Sequence, residues 1–251
     1  MMNRPSWLMA RPVAHRGLHD KANGLIENSA SAARAAIAKD CAIECDIQLS
    51  QDGEAMVFHD FTLERLTAGT GRVDAMSAQQ LGALTLTGSQ DPIQTLADFL
   101  ALIAGRVPLV CEIKSRFDGD LRLTRRALEI ARHYDGPLVF KSFDPFLVAS
   151  LRQLAPEIPR GIVSQSHYEE AGWEMLSPAQ IFAMENLSHW DETQPDFMSW
   201  KVRDLRHGAP FIARKLGGVP LMTWTVRTQA EIEEAKLFAD QLVFEQCLIR
   251  P

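Results

Sequence analysis

Two acidic residues stand two positions apart within one apolar run of this chain, and a histidine closes the next run. Residues 42–49, AIECDIQL, contain Glu44 and Asp46, and residues 55–60, AMVFHD, contain His59. In a β-strand residues i and i+2 point to the same face, so the two carboxylates project side by side. Two adjacent anions among apolar neighbours require a cation, which is either a basic side chain or a metal ion.

The same spacing recurs in residues 108–115, PLVCEIKS, where Glu112 and Lys114 share one face of a predicted strand. If the two strands are neighbours, Glu112 joins Glu44 and Asp46 in a cluster of three carboxylates. Carboxylate oxygens suit hard cations, so we expect one divalent cation here, Mg²⁺ or Ca²⁺, with Mn²⁺ as a further choice. The alternative is that the acids pair with Arg or Lys, which would explain a single acid better than three.

Two histidines are candidates for proton transfer beside this cluster. His15 ends the predicted first strand and is followed by Arg16, while His59 ends the run after the acidic pair. Imidazole can act as general acid and base near neutral pH, although a single strand-end histidine is more often structural. Adjacency alone leaves open whether Asp60 orients His59. The other histidines lie in predicted loops and helix ends and are expected at the surface: His19, His133, His167, His189 and His207.

Arg16 and Lys114 are the cations that the sequence places near the cluster, where they would form a local anion site. A guanidinium can bind phosphate oxygens in bidentate fashion. The competing interpretation pairs Arg16 with Glu27 and Lys114 with an acid of the cluster, and both can hold together. Trp224, in the run MTWTV, is either a core residue or an apolar wall beside a substrate, and the pattern does not decide between them.

Charge and composition exclude several classes of partner. The net charge is −6 and the pI is about 5.7, so we expect binding neither to nucleic acid nor to anionic membranes. The N-terminal segment lacks a signal-peptide core and no run approaches membrane-spanning length, which predicts a cytoplasmic protein without stable membrane insertion. The oligomeric state is left open. The cysteines lie in apolar segments and are expected to be reduced core residues: Cys41, Cys45, Cys111 and Cys247.

Eight short apolar runs alternate with helical patterns, which favours parallel strands joined by crossover helices. Helical patterns cover 27–40, with Asn28 or Ser29 as the N-cap, and 119–134. Eight such units predict an α/β fold, a TIM (β/α)8 barrel with its functional groups at the carboxyl ends of the strands. The eight runs are 12–17, 42–49, 108–115, 137–143, 160–164, 196–202, 220–226 and 241–246.

One connection distorts this pattern. The Asp52-Gly53 pair between 42–49 and 55–60 predicts a hairpin, because the linker is too short for a parallel crossover. A turn there brings His59 opposite Glu44 or Asp46, to within a residue or two.

The stretch that follows, 61–100, is predicted to be a small, mostly helical insertion over the barrel mouth, with helices at SAQQLGAL and QTLADFLALIAG. Residues 1–251 are predicted to form a single domain that contains this insertion.

Several motifs together resemble the glycerophosphodiester phosphodiesterase family. They are VAHRG, ENSASAARAAIAKDCAIECDIQLSQDGEAMVFHD, ERLTAGTG, LVCEIKS, KSFDP and MTWTV, in that order along nearly the whole chain. Each tripeptide alone is weak, but HRG, ExD, HD and ExK in combination are specific. The resemblance implies a distorted TIM barrel and a metal-dependent phosphodiesterase that releases glycerol 3-phosphate and an alcohol from small glycerophosphodiesters such as glycerophosphocholine or glycerophosphoethanolamine.

The resemblance also implies roles for individual residues. It implies that His15 deprotonates the glycerol 2-hydroxyl for attack on phosphorus and that His59 protonates the departing alcohol, with the roles reversed when water opens the cyclic phosphate. The remaining assignments are Glu44, Asp46 and Glu112 as metal ligands, Arg16 and Lys114 as phosphate contacts, and Trp224 as a substrate-binding residue. The alternatives are a lysophospholipase D, a lyase that stops at the cyclic product, and a non-catalytic barrel that binds a phosphoryl ligand.

The chain departs from the family pattern near its C-terminus. Arg227 stands where asparagine is common, and Glu245 and Gln246 lie where a glycine-rich, Asp-containing ending is usual. A proline usual before the ENS segment is also missing. The C-terminal changes bear on leaving-group preference more than on the core chemistry.

Overall fold

The computed structural model describes residues 5–169 and 172–246, and within these ranges helices and strands alternate. The strands are β1 Val13–Ala14, β2 Ala42–Leu49, β3 Ala55–Val57, β4 Leu109–Ile113, β5 Leu138–Ser142, β6 Arg160–Ser164, β7 Phe197–Lys201, β8 Leu221–Val226 and β9 Gln241–Phe244. The α-helices are α1 Ala30–Ala38, α2 Ala78–Gly82, α3 Leu96–Ile103, α4 Arg122–Ala131, α5 Pro145–Leu154, α6 Pro178–Asn186, α7 Trp190–Thr193, α8 Gly208–Lys215 and α9 Gln229–Phe238.

The strands are hydrogen-bonded in the order β1-β9-β8-β7-β6-β5-β4-β2-β3, and β1 also pairs with β2. This order closes eight strands into a parallel barrel with helices between them, which confirms the predicted TIM-barrel class. All eight predicted runs form strands. The first is shorter than its run, because the chain turns away after Ala14.

The chain divides into two compact units. The first unit comprises Val13–Lys114 and Leu121–Leu138, and it contains β1 to β4. In this unit β2 pairs in parallel with β1 and with β4, and the register sets Asp46 opposite Glu112. The second unit holds the described residues of 1–12, 115–120 and 139–251, in which β6 to β9 pair in parallel in chain order.

The predicted hairpin is confirmed by the pairing of β2 with β3. The strands are antiparallel, and Ile47 lies opposite Val57. Gly53, in the turn, has a φ of +86°, which glycine adopts without steric cost, and its N–H donates to the Ser50 carbonyl at 3.1 Å. Just after β3, the Phe58 N–H donates to the Asp46 carbonyl at 3.0 Å. The backbone pairing with β2 therefore continues as far as Asp46, directly before His59.

The insertion contains both predicted helices but is otherwise less helical than the sequence predicts. Helix α2 begins at a capping box formed by Ser77 and Gln80, and Thr95 caps α3. Isolated antiparallel bridges hold much of the remainder. The insertion is attached to the hairpin by one apolar cluster, whose buried members are Ile26, Met56, Phe58, Leu63, Leu66, Val73, Leu81, Leu86 and Ile93.

The structure also tests the predictions made for the cysteines and for the histidines away from the site. Cys41, Cys45 and Cys111 are buried free thiols, while Cys247 lies outside the described residues. The surface prediction is wrong for His189, which is buried against α7, where burial lowers its pKa. Among the described residues no helix combines the length and the apolar character needed to cross a membrane.

Candidate active site

A tight bend after β1 brings the HRG segment against β2. Arg16 and Gly17 have left-handed backbone angles, with φ of +56° and +81°. The Gly17 N–H lies 3.2 Å from the carbonyl oxygens of both Ala14 and Glu44. A Cβ added at Gly17 would lie 2.9 Å from the carbonyl carbon and from the Cβ of Ala32 in α1, so this close approach requires glycine.

Three buried carboxylates meet where β2 and β4 run side by side. Glu44, Asp46 and Glu112 each present one oxygen within 4.8 Å of the oxygens of the other two. The side chains of the two β2 residues have 0% and 1% exposure. Period-two geometry puts those two on one face, and the β2–β4 register adds Glu112. The predicted three-carboxylate cluster is confirmed as a spatial group.

Basic side chains surround the cluster. Lys114 Nζ lies 2.6 Å from Glu112 Oε1 and 2.9 Å from Asp46 Oδ1. Arg16 Nε lies 3.2 Å from Asp46 Oδ2, and the Arg16 backbone N–H donates to Glu44 Oε2 at 3.0 Å. The pairing of acids with basic residues that the sequence left open is therefore present alongside the acidic cluster.

These charges fix the protonation states of Asp46 and Lys114. Burial alone would raise the pKa of Asp46, but the charges of Lys114, His59, Arg16 and His15 hold it well below its usual range. Burial would likewise lower the pKa of Lys114, but Asp46 and, to a smaller extent, Glu112 raise it. Asp46 is consequently a carboxylate and Lys114 an ammonium at neutral pH.

Both candidate histidines reach this part of the first unit. His15 Nε2 lies 3.8 Å from Glu44 Oε2. The Nδ1 atom of His59 lies 2.6 Å from Asp60 Oδ1. The backbone carbonyl of His59 accepts a hydrogen bond from Gln48 Nε2 at 2.9 Å. Asp60 therefore orients the imidazole, a relationship that adjacency in sequence had left open. With Nδ1 held by the carboxylate, Nε2 is the ring atom suited to proton transfer.

Two further residues at the site, Asn28 and Arg65, escaped the sequence-based prediction of roles. Of the two residues predicted as the N-cap, Ser29 caps α1, and Asn28 exchanges two hydrogen bonds with Asp46. Glu27 and Arg65 form ion pairs that extend from Arg16 to Asp60. The one sequence feature that could have drawn attention to Asn28 was its residue type. Asparagine tolerates a positive φ, here +56°, better than most residues.

Trp224 and the C-terminal departures lie in the second unit. Trp224 is partly buried in β8, donates from Nε1 to the Ser199 carbonyl at 3.1 Å and packs edge-on against Phe143. Arg227 Nε donates to Glu245 Oε2 at 2.8 Å, so two residues that depart from the family pattern pair with each other. Substrate contact by Trp224 stays a prediction.

The donor set fits a hard divalent cation. It consists of carboxylate oxygens from three buried residues within 4.8 Å of one another. Buried acids at this separation repel one another strongly, and a cation between them would relieve that repulsion. The triad can therefore bind a divalent metal ion.

A family model described as the glycerophosphoryl diester phosphodiesterase family matches residues 15–243. The glycerophosphodiester phosphodiesterase of Caldanaerobacter subterraneus subsp. tengcongensis is 26% identical over 231 residues, which are 88% of this chain and 87% of that protein. Glycerophosphodiester phosphodiesterase 1 of Bos taurus is 25% identical over 202 residues, covering 75% of this chain and 54% of that protein.

Solved structures share the fold. An Oleispira antarctica phosphodiesterase, in complex with the product sn-glycerol-3-phosphate, matches with a TM-score of 0.76 at 22% identity over 93% of this chain and 91% of that chain. The glycerophosphodiester phosphodiesterase of Thermotoga maritima matches with a TM-score of 0.69 at 20% identity, over 93% of this chain and 94% of that chain. The chain therefore belongs to the glycerophosphoryl diester phosphodiesterase family and is an enzyme of that class.

Proposed function

We propose that the enzyme hydrolyses small glycerophosphodiesters to glycerol 3-phosphate and an alcohol, with one divalent cation bound by Glu44, Asp46 and Glu112. The observation that carries this proposal is the presence of three buried carboxylates within 4.8 Å of one another beside Arg16 and Lys114. Mg²⁺ and Ca²⁺ suit such oxygen donors, and Mn²⁺ is a further choice. The Oleispira antarctica relative, with its bound sn-glycerol-3-phosphate, supports the same class of substrate.

His15 and His59 divide the proton transfers in this proposal. His15 takes the proton of the glycerol 2-hydroxyl as that oxygen attacks phosphorus, which forms a cyclic phosphate and breaks the bond to the alcohol. His59, with Nδ1 held by Asp60, protonates the departing oxygen through Nε2. In the second half-reaction His59 takes a proton from the water that opens the ring, and His15 returns a proton to the 2-hydroxyl.

Arg16 and Lys114 bind the phosphate oxygens and stabilise the charge that develops on them. Lys114 is held by Glu112 and Asp46, and Arg16 is held by Glu27 and Asp46. Because these contacts already order both cations, little reorganisation is needed as charge develops. When bound, a divalent cation supplies Lewis-acid stabilisation of the phosphoryl group.

The experiment that tests the proposal is glycerol 3-phosphate release from glycerophosphocholine and glycerophosphoethanolamine by metal-stripped protein, with Mg²⁺, Ca²⁺ or Mn²⁺ added back. We expect Glu44→Gln to lose metal binding and activity together. His15→Ala should keep metal binding and lose about 10²- to 10⁴-fold in activity. Glu54→Gln, which breaks a surface pair with Arg126, is the matched control and should behave as wild type.

Two outcomes would redirect the proposal. Accumulation of a cyclic phosphate, observed by phosphorus NMR, would identify a lyase that stops after the first step. Full biological activity of the His15→Ala, His59→Ala double variant would identify a binding protein instead.

A lysophospholipase D would be favoured by an exposed apolar rim on the insertion. The large exposed hydrophobic side chains of the described residues, however, lie outside 61–100: Phe146, Met175, Phe182, Phe211, Ile212, Leu216 and Leu237.

A further inference from the structure

Arg65, a residue of the insertion, bridges two carboxylates with one guanidinium group. Its Nε donates to Asp60 Oδ2 at 2.6 Å, and its Nη1 donates to Glu27 Oε2 at 2.9 Å. Its Nη2 donates to both acids, at 3.0 Å to Asp60 Oδ1 and at 2.8 Å to Glu27 Oε1. Each carboxylate is therefore held in bidentate fashion, which fixes its orientation as well as its position.

The same two carboxylates hold the two groups that the proposed reaction needs in fixed positions. Asp60 Oδ1 lies 2.6 Å from His59 Nδ1. Glu27 Oε1 accepts a hydrogen bond from Arg16 Nη1, also at 2.6 Å. Arg65 thus connects, through these two carboxylates, the histidine assigned to proton transfer with the arginine assigned to the phosphate.

We infer that Arg65 is a positioning residue that fixes His59 and Arg16 relative to each other, an inference that rests on the proposed function. A single exposed ion pair contributes little, and Arg65 is 46% exposed. Arg65, however, makes four hydrogen bonds to two acids, and each acid already binds a group of the site. Displacement of a reacting group by about 1 Å can cost about 10²-fold in rate.

The backbone that carries Arg65 is itself anchored. Leu63 and Leu66, on either side of it, are buried in the apolar cluster that joins the insertion to the hairpin. The Leu63 N–H donates to the Gly71 carbonyl at 3.0 Å, and Thr67 bridges to Leu86. The guanidinium therefore projects from a fixed base, so the insertion supplies a structural support for the site.

The kinetic test uses the metal-loaded enzyme and separates the two arms of the bridge. We expect Arg65→Gln to lower kcat about tenfold or more, because His59 loses its fixed orientation. The same variant should raise KM, because Arg16 also loses its fixed orientation. Asp60→Asn should affect mainly kcat and Glu27→Gln mainly KM. Adding Asp60→Asn to Arg65→Gln should lower kcat little further, since both changes act on one chain of contacts.

Two variants act as controls for charge and for general damage. Arg72→Gln removes an exposed arginine of the same insertion that pairs with Asp74, and it should leave the kinetics unchanged. Arg65→Lys keeps the charge without the planar fork, so full recovery in this variant would overturn the bridging role. Wild-type kinetics in Arg65→Gln would overturn the bridging role as well. So would double variants in which the kinetic effect of Arg65→Gln adds fully to that of Asp60→Asn and to that of Glu27→Gln.

A readout without substrate distinguishes failure of this inference from failure of the proposed function. Long-range nitrogen–proton NMR spectra report the tautomer of His59, and Arg65→Gln should shift its ring signals toward those of Asp60→Asn. Arg72→Gln should leave them in place. Unchanged His59 signals in Arg65→Gln would reject the positioning role whatever the substrate is, whereas a shift in a protein inactive on glycerophosphodiesters would reject only the proposed function.

Discussion

Asn28 and Asp46 exchange two hydrogen bonds across 18 positions of sequence. Asn28 Nδ2 donates to Asp46 Oδ2 at 2.9 Å, and the Asp46 backbone N–H donates to Asn28 Oδ1 at 3.1 Å. One amide therefore fixes both the strand position and the carboxylate of a buried acid. Asn28, which directly precedes the N-cap of α1, is in this way part of the support for the acidic triad.

Loss of that amide should weaken metal binding. We expect Asn28→Ala to lower the affinity for the divalent cation by about 10- to 100-fold, the range found when partners of metal ligands are removed. Calorimetric titration of metal-stripped protein measures the effect. Asn28→Gly is the matched control, because it also lacks the amide but adopts the φ of +56° without strain. Wild-type affinity in the glycine variant would assign the alanine defect to backbone strain alone.

Removal of Lys114 should destabilise the metal-free protein. Lys114→Met leaves Asp46 and Glu112 without their shared ammonium, and breaking a buried pair in this way costs about 3–5 kcal/mol. Saturating divalent cation should restore much of this free energy of unfolding, since it binds the same acids. Urea unfolding with chelator or with metal measures both. Arg126→Met, which breaks a more exposed pair with Glu54, should cost less than about 1 kcal/mol in either condition.

Glu27 should contribute a pH-dependent part of the stability. Burial alone would raise its pKa, but hydrogen bonds and charge from Arg65 and Arg16 lower it from 4.5 to about 2. Because the folded pKa is depressed, the stabilisation is present above pH 4.5 and is lost as the pH falls toward about 2. Its full size is about 3 kcal/mol.

Urea unfolding of wild type and Glu27→Gln across this range measures that contribution. The difference in free energy of unfolding should be largest above pH 4.5 and should shrink as the pH falls. Glu233→Gln, which alters an exposed pair with Lys236, is the control. A Glu27→Gln difference that stays constant with pH would contradict the depressed pKa.

Gly17→Ala should disturb the bend that carries His15 and Arg16. The new Cβ would meet Ala32 at 2.9 Å, and the φ of +81° is unfavourable for alanine. We expect a loss of about 2–4 kcal/mol, from about 1–3 kcal/mol for overpacking and about 1 kcal/mol for the backbone. Gly53→Ala has a similar φ of +86° but meets nothing within 4 Å, so it isolates the backbone part. Equal losses in the two variants would show that contact with Ala32 is unimportant.

Much of the candidate site could be predicted because its signals are local. The two-residue spacing of Glu44 and Asp46 puts both on one strand face, whatever surrounds them. The Asp52-Gly53 turn fixes the hairpin and therefore how far His59 travels back along β2. The strand spacing and the turn had thus already placed these residues near one another. The family resemblance then implied a role for each of them.

The insertion was harder to predict from pattern. Capping residues mark α2 and α3, and both helices were anticipated. The segments between them are held by isolated bridges such as Thr62 with Arg72 and Thr67 with Leu86, which have no period in the sequence. Buried apolar side chains decide their path, because the chain follows the hydrophobic contacts that it can make with the hairpin.

The sequence by itself determined the barrel class, the hairpin and the acids, bases and cations that the site contains, because each follows from short-range periodicity, turn chemistry or motif. Only the tertiary structure decided which of these groups touch. Arg65 lies 38 positions from Glu27, and Asn28 lies 18 from Asp46, yet both pairs are hydrogen-bonded. Partner choice at such separations depends on strand register and core packing, which bring distant segments within a few ångströms and leave no local pattern in the chain.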